Sequence, residues 1–436
     1  MQRKLLFLER LMLGDGRTPF NGVFVIRIKG TITMELLRNA LDKLQAKHPL
    51  LRAGITYGKD GSPYFKVNES CPEIPVTVTE QFYDDDWVLQ SINDWATVFD
   101  TGSGPLIKLH WISGVGSSDL VMAFHHCMCD GGAGLMLIKD LVALLDNPAR
   151  DIGRHDSICT IEEIVPATVL NSKGRQLKAR FQAMLIRAGL RLLAALTTTH
   201  NKPRSYRERD YLVHWKLSPS QSAALFKQCT AQGVTVNTAL CVAFLEAFRQ
   251  VKGKAARNKI TCPVDIRKFV KEIRQDTIFS FGLSLTLSLP PSKSSFWEKV
   301  RELQQIVSKK MDRMDPYDFL LPFEQAHSSL HHIRKVLTYG KVNYDLMFSN
   351  MGKLDVRDKY HSFEVDTIFS PTVVGPFANP TTIITSTYKG QIDFSFVSNH
   401  AVLDHRDALA IKELAMKLLL EDLHVAAPAP ALSSII

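Results

Sequence analysis

The residues best equipped for chemistry stand together near the end of the first third of the chain: His125-His126-Cys127-Met128-Cys129-Asp130-Gly131-Gly132. An imidazole titrates near ~6.5, so at neutral pH it can take a proton from a hydroxyl or amine as that group attacks a carbonyl. If the electrophile is already activated, as in a thioester, one base and an oxyanion donor suffice for direct acyl transfer, with no covalent nucleophile. Neighbouring side chains at a strand end point to opposite sides, so only one of His125 and His126 can enter a given cleft. Asp130, four residues after His126 and followed by two glycines, can turn back towards the imidazole region within one tight loop. Three other readings fit the same residues. Both histidines can be strand-end groups satisfied by hydrogen bonds. His126, Cys127 and Cys129 can begin a zinc site, although a closed site needs about four ligands and no CxxC or spaced His pair completes one. Cys127 can itself be a nucleophile.

Positioning such a loop requires a strand before it and a helix after it, and the flanks supply both. Leu120-Val121-Met122-Ala123-Phe124 is an apolar strand, and Ala133–Leu145 carries a helical apolar pattern. Upstream, Val23–Lys29 alternates as a strand, and Thr33–Lys47 places Leu36, Leu37, Ala40, Leu41 and Leu44 on one helical face until His48-Pro49 stops it. Leu51–Tyr57 and Tyr64–Val67 flank Lys59-Asp60-Gly61 as a hairpin, Asp84–Phe99 reads as a helix, and Leu106–Ser113 as a strand. A second series follows residue 210. Tyr211–Leu217, Ile260–Ile266, Phe279–Leu289, Leu346–Ser349, Ser362–Ser370, Thr381–Lys389 and Gln391–Val397 read as strands. Among them lie helices at Gln221–Cys229, Ala239–Val251, from a capping box at Ser295 to about Met311, and at Leu403–Leu420. The expected organisation is a first half over 1–150, a crossover over 151–209, a second half over 210–425 and a frayed tail over 426–436. Two facing α/β layer sandwiches of this kind leave a cleft between them, where ligands commonly bind.

Composition narrows the setting. With 436 residues, 45% hydrophobic and 22% charged, the chain is ordinary globular protein, not disordered, collagen-like or a disulfide scaffold. Its longest apolar stretches are interrupted by arginine before the ~18–20 residues needed to span a bilayer, and Glu9 and Arg10 break the opening run before it resembles a signal peptide. Seven scattered cysteines fit a reducing cytoplasm. The net charge of +9 is concentrated: residues 171–208 hold nine basic residues and one acid, supplying +8. Arg180, Arg187 and Arg191 fall in one helical stripe beside an apolar face of Leu177, Phe181, Met184, Ala188, Leu192 and Ala195. The stripe can dock an acidic acyl carrier protein, the phosphates of coenzyme A or an anionic membrane; it can equally be a solvated crossover helix. Nucleic acid is disfavoured, since no recognition motif accompanies the charge.

His125–Gly131 is a full match to the HHxxxDG signature of the condensation-domain and chloramphenicol-acetyltransferase-like superfamily. Its surroundings are similar too: Gly22–Lys29 with the helix ending in His48-Pro49-Leu50-Leu51-Arg52, Pro263-Val264-Asp265-Ile266-Arg267, and Ser349-Asn350-Met351-Gly352 occur in the family's order over about residues 1–420. With no adenylation or carrier region alongside, the chain most resembles free-standing polyketide-associated and alcohol O-acyltransferases. One departure stands out: where many relatives show Asn-x-x-Gly, this chain has Ser280-Phe281-Gly282-Leu283. The resemblance implies two chloramphenicol-acetyltransferase-like halves forming a V, with His126 as general base midway along a central channel. It implies Asp130 as a structural carboxylate held by an arginine, for which Arg267 is a candidate, Gly131 as the residue permitting the turn, and His125 as structural. It further implies transfer from acyl-CoA or an acyl carrier protein to a hydrophobic alcohol of a lipid or secondary metabolite; the alternatives are a free-standing condensation enzyme that forms an amide or ester from carrier-bound substrates, and a non-catalytic member that binds an acyl carrier or lipid. The thioester's coenzyme A or phosphopantetheine is then a co-substrate, and no metal or other cofactor is expected. A monomer is expected. His331-His332 carries no specific assignment, and His400 is read as structural. Phe279, Phe281, Phe348, Phe369 and Phe377 are candidates for an acyl pocket, with most of the 23 phenylalanines assigned to core.

Overall fold

A computed structural model describes residues 1–423 apart from 157, 159, 199–208, 271–272, 281 and 290–291. The chain begins β1 (Gln2–Lys4), α1 (Phe7–Leu13), β2 (Asn21–Gly30), α2 (Met34–Lys47), β3 (Ala53–Tyr57), β4 (Pro63–Val67), β5 (Val76–Glu80), α3 (Asp86–Trp95), β6 (Ile107–Ser113), β7 (Ser117–His125) and α4 (Gly131–Asp146). Two single turns, α5 (Ile161–Ile164) and α6 (Ala167–Leu170), lead into the long α7 (Lys173–Leu196). Then follow β8 (Asp210–Lys216), α8 (Pro219–Ala231), α9 (Val236–Lys252), β9 (Ile260–Asp265), β10 (Gly282–Leu287), α10 (Phe296–Asp312), α11 (Pro316–Gln325) and α12 (Leu330–Tyr339). The chain closes with β11 (Leu346–Lys353), β12 (Phe363–Ile368), β13 (Thr372–Val374), β14 (Thr382–Tyr388), β15 (Gln391–Asn399) and α13 (His405–Leu420). No single helix among the described residues is long and apolar enough to cross a membrane.

Each half is a sheet with helices on it, and each follows from local chemistry. Thr33 caps α2 by accepting from the Leu36 amide, so Leu37, Ala40, Leu41 and Leu44 face the first core. Burying each leucine there contributes about 1.5–3 kcal/mol. In α9 every residue from Thr238 to Phe248 is buried, so this helix, apolar nearly all round, runs through the second core and packs on α10 and α13. The second sheet has the order β10-β9-β11-β14-β15-β8, antiparallel except for the two pairs made by β11.

The first sheet corrects the expected division of the chain. Its order is β12-β2-β7-β6-β5, with β13 also paired to β2. Residues 363–374, placed by sequence in the second half, therefore complete the sheet of the first. They do so because β2 is a long strand whose edge needs partners: Val365 sits opposite Ile28, and Thr372 opposite Val23. Trp95 Nε1 donates to Thr372 Oγ1 at 2.9 Å, tying α3 to the inserted segment. Between these strands, Ser370 hands its amide to the buried Asp393 of β15, which also pairs with His214 at 2.7 Å. The halves are interleaved, not merely adjacent.

A second tie lies at the end of α2. Lys47 Nζ sits 2.6 Å from Asp140 on α4 and 3.1 Å from Asp276, which follows β9 in the other half. His155 stands 3.2 Å from Asp276, and its ring stacks on His48 with centroids 5.0 Å apart. Burial works against the charged form of Asp276, but hydrogen bonds from Arg274 and Lys47 hold its carboxyl well below the usual range; Asp140 is also lowered, against its burial, by His48 and Lys47. Burial lowers both histidines, which therefore stay neutral. The carboxylates contribute stability that is complete above pH ~4 and lost as pH falls towards their folded values. The histidines add a further loss once pH drops below ~6.5. Asp276→Asn should thus cost on the order of 2 kcal/mol at neutral pH, less than the ~3–5 kcal/mol of a fully buried pair. Chemical denaturation as a function of pH should show the gap to wild type closing below pH ~4, and a gap that stays constant there contradicts the assignment.

Candidate active site

The candidate loop begins where β7 ends. Asn21 of β2 lies opposite His125, and one residue on the His126 amide donates to the Phe20 carbonyl at 2.7 Å. Strand alternation sends the two imidazoles apart. His125 is buried, its Nδ1 accepting from the Cys127 amide at 3.2 Å and its ring edge-on to Phe99. His126 turns the other way and stays half-buried, its ring edge-on to Phe20 at 5.2 Å. Phe20 in turn meets Phe377 at 5.3 Å.

The tautomer of His126 follows from its partner. Nδ1 lies 2.8 Å from the Cys129 carbonyl oxygen, which can only accept, so Nδ1 carries the hydrogen and Nε2 keeps its lone pair. Burial lowers the His126 pKa, with the Cys129 carbonyl and Asp130 pulling weakly the other way, so the ring is neutral at neutral pH. Cys127, Met128 and Cys129 all pack into the first core. Burial raises both thiols well above their usual range, which keeps them protonated and argues against Cys127 as a nucleophile.

Asp130 does not touch the imidazole. It is the N-cap of α4, accepting from the Ala133 amide at 2.9 Å, while its own amide donates to the Phe279 carbonyl at 3.1 Å. Arg267, just past β9, reaches across from the other half: Nη1 is 2.9 and 3.1 Å from the two Asp130 oxygens and 3.2 Å from Asp265. Its Nη2 donates to the Thr277 carbonyl, and its guanidinium lies 4.2 Å from the centre of the Phe279 ring. Burial alone lowers the Arg267 pKa, yet Asp130 and Asp265 outweigh it and raise it.

The paired glycines serve close approach. Gly131 opens α4 without a positive φ, so the turn expected there does not use the left-handed region. A Cβ at Gly131 would lie 2.9 Å from Met351 Sδ on β11, and one at Gly132 would lie 3.1 Å from Arg267 Nη1. The structure thus brings His126, Asp130, Gly131 and Arg267 to one place, with His125 behind them. Arg180, Arg187 and Arg191 lie on α7, a different element that packs on α11 and α12. Of the phenylalanines considered for a pocket, Phe348 is in the second core, Phe279 lies under Arg267, Phe369 stacks on Trp87, and Phe281 is outside the described residues. Only Phe377 stands by the His126 ring, through Phe20. Ser280, at the departure from the family pattern, is buried against Met12 Sδ. His400 packs on Tyr211 and His405.

Sequence reasoning missed Phe20, Gly132, Met351 and the Cys129 carbonyl. Met351 lay within the quoted Ser-Asn-x-Gly strand, and Gly132 beside the signature, so a signal existed for both. Phe20 carried none.

Comparisons with known proteins agree with this architecture. The family model of the condensation domain matches residues 1–268. Phosphinothricin tripeptide synthetase PhsC of Streptomyces viridochromogenes is 30% identical over 151 residues, which are 33% of this chain and 14% of that protein. The chain therefore matches only a small part of that much longer relative. Among solved structures, polyketide synthase associated protein 5 from Mycobacterium tuberculosis superposes with a TM-score of 0.66 at 15% identity, covering 96% of this chain and 98% of its own. Trichothecene 15-O-acetyltransferase TRI3 from Fusarium sporotrichioides gives 0.68 at 12% identity, covering 96% and 94%. These likenesses show a shared fold of two chloramphenicol-acetyltransferase-like halves. With its first 268 residues matched by the family model and its whole architecture shared with these structures, the chain belongs to the condensation-domain family.

Proposed function

We propose that the protein is an acyltransferase in which His126 deprotonates a hydroxyl acceptor as it attacks a thioester carbonyl. The observation that carries this reading is the hydrogen bond from His126 Nδ1 to the Cys129 carbonyl, which leaves Nε2 as a base on a half-buried ring. The acceptor oxygen forms the new bond to the carbonyl carbon while its proton passes to Nε2. The tetrahedral intermediate collapses, the carbon–sulfur bond breaks, and the thiol leaves with that proton, so the imidazole ends neutral. The acyl donor is an acyl-CoA or an acylated carrier protein, and the acceptor an alcohol of a lipid or secondary metabolite. TRI3, by its name an O-acetyltransferase, supports the ester-forming version. Asp130 and Arg267 act as positioning residues: they hold the loop whose Cys129 carbonyl sets the tautomer.

The peptide-synthetase relative supports a second reading, amide formation between carrier-bound substrates, with the same base removing a proton from an amine. Assays with alcohol and amine acceptors of the same chain length separate the two.

Two outcomes test the assignment. His126→Ala should lower turnover by roughly 10²–10⁴ with the fold intact, whereas near wild-type turnover would refute it. Because the neutral ring is the active form and its pKa is lowered, wild-type kcat/KM should hold as pH falls through ~6.5 and decline only below it, a limb that the variant lacks. Arg267→Ala should cost on the order of 3 kcal/mol of stability by stranding Asp130, and should lower kcat more than it raises KM. Asp130→Asn, which keeps a capping side chain, should melt higher than Asp130→Ala by the cap's ~1 kcal/mol. Equal melting of the two asparagine and alanine variants would contradict the capping role.

A further inference from the structure

Helix α7 is turned inside out. Its inward face is narrow and mostly small: Ala179, Ala183 and Ala194 are buried, with Ile186 and Leu190 packed beside them. The outward face carries Leu177, Phe181, Met184, Leu185, Leu192 and Leu196, each 51–72% exposed. At ~100° per residue these six occupy an arc of roughly 120°. Such a contiguous exposed stripe is unusual for a chain that has 45% hydrophobic residues with which to build its cores.

Charge borders the stripe. Arg180, Arg187 and Arg191 run along one edge, and the helix from Lys173 to Leu196 contains no acid at all. Arg175 and Lys178 are already matched, at 2.9 and 2.6 Å, by Asp315 and Asp318 of the neighbouring α11 segment. On α12, His332 lies within electrostatic reach of Arg191 as well as of His331 and Lys335, and these positive neighbours together with burial lower its pKa. Beside the stripe a groove of about 470 Å³ opens between α7 and α11, with apolar walls from Leu185, Ile186, Phe319 and Phe323 and a polar side formed by Gln182, Arg313, Asp315 and Asp318.

We propose that this face of α7 seats the protein on an anionic bilayer surface, with the six apolar side chains in the headgroup–acyl boundary and the arginines on lipid phosphates. A helix with large apolar side chains on one face, basic residues along its edge and no acid is the form that lies in such an interface. The arginines can lay their methylene stems over apolar surface while their guanidiniums reach the headgroups. A two-fold contact with a second copy fits less well, because it buries the apolar stripe but brings no acid from the same helix to answer the arginines. An acidic carrier protein answers the arginines but leaves the apolar stripe, the larger feature, without a reason. The groove adds a place on this face where one lipid chain can leave the bilayer.

The test is flotation of the full chain with phosphatidylcholine vesicles, with and without phosphatidylglycerol. Wild type should float with the anionic vesicles at least tenfold more tightly than with the neutral ones, and raised salt should weaken the binding. Phe181→Glu combined with Leu192→Glu should abolish flotation at an unchanged melting temperature, since both positions are exposed. Arg180→Gln with Arg187→Gln and Arg191→Gln should remove the anionic preference and provides the test if the first variant folds poorly. Failure of wild type to float, or variants that float like wild type, overturns the proposal. So does a wild-type dimer that the glutamate variant dissociates, which makes a second copy the occupant. Loss of acyl-carrier-protein binding in the variants, with vesicles ignored by wild type, likewise overturns it in favour of the carrier.

Discussion

The contact between Arg267 and Asp130 is the constraint on which the active-site loop depends. An arginine side chain that is 2% exposed is held by two carboxylates and a backbone carbonyl. Asp130 is committed to capping α4, and its amide to Phe279. Because Cys129 precedes Asp130, the direction of the Cys129 carbonyl is set by that anchorage, and the carbonyl in turn decides which imidazole nitrogen of His126 keeps its lone pair. An ion pair one residue along the loop thus bears on which ring nitrogen of His126 keeps its lone pair.

The same contact explains why the site needs both halves. Arg267 and Met351 come from strands of the second sheet or their ends, while Phe20 and His126 flank strands of the first. The insertion of β12 and β13 beside β2 locks the two sheets' relative position from the far side, and Lys47 with Asp140 and Asp276 locks it again near the α4 end. Buried ion pairs are weak sources of net stability but strict about geometry. That strictness suits a junction whose purpose is to hold a loop in place.

Much of this was legible in the sequence. Strands such as Val23–Lys29 and helices such as Thr33–Lys47 carry their period and their caps in adjacent residues, and the His-His-x-x-x-Asp-Gly loop announces itself by composition. The pairing of Asp130 with Arg267 was reachable because each sits in a recognisable motif. Other features had no local signal. Residues 363–374 read as strand, yet nothing in their alternation says which sheet they join, since that depends on the free edge of β2. The exposure of Leu177, Phe181 and Leu192 was equally hidden: helical periodicity gives the faces of α7, and only packing against α11 and α12 decides which face is turned inward. Nor does the sequence show that Met351 Sδ comes within 2.9 Å of where a Cβ on Gly131 would stand, since β11 lies more than two hundred residues away.

Direct transfer by a single base is most sharply tested by thiol release from an acyl thioester in a single turnover, with enzyme in excess and the acceptor alcohol present or withheld. With His126 acting on the acceptor, thiol should appear only when the acceptor is added, at a rate that the His126→Ala variant loses. A stoichiometric burst of thiol without acceptor would mean that the acyl group had moved first to the protein, and would contradict the mechanism.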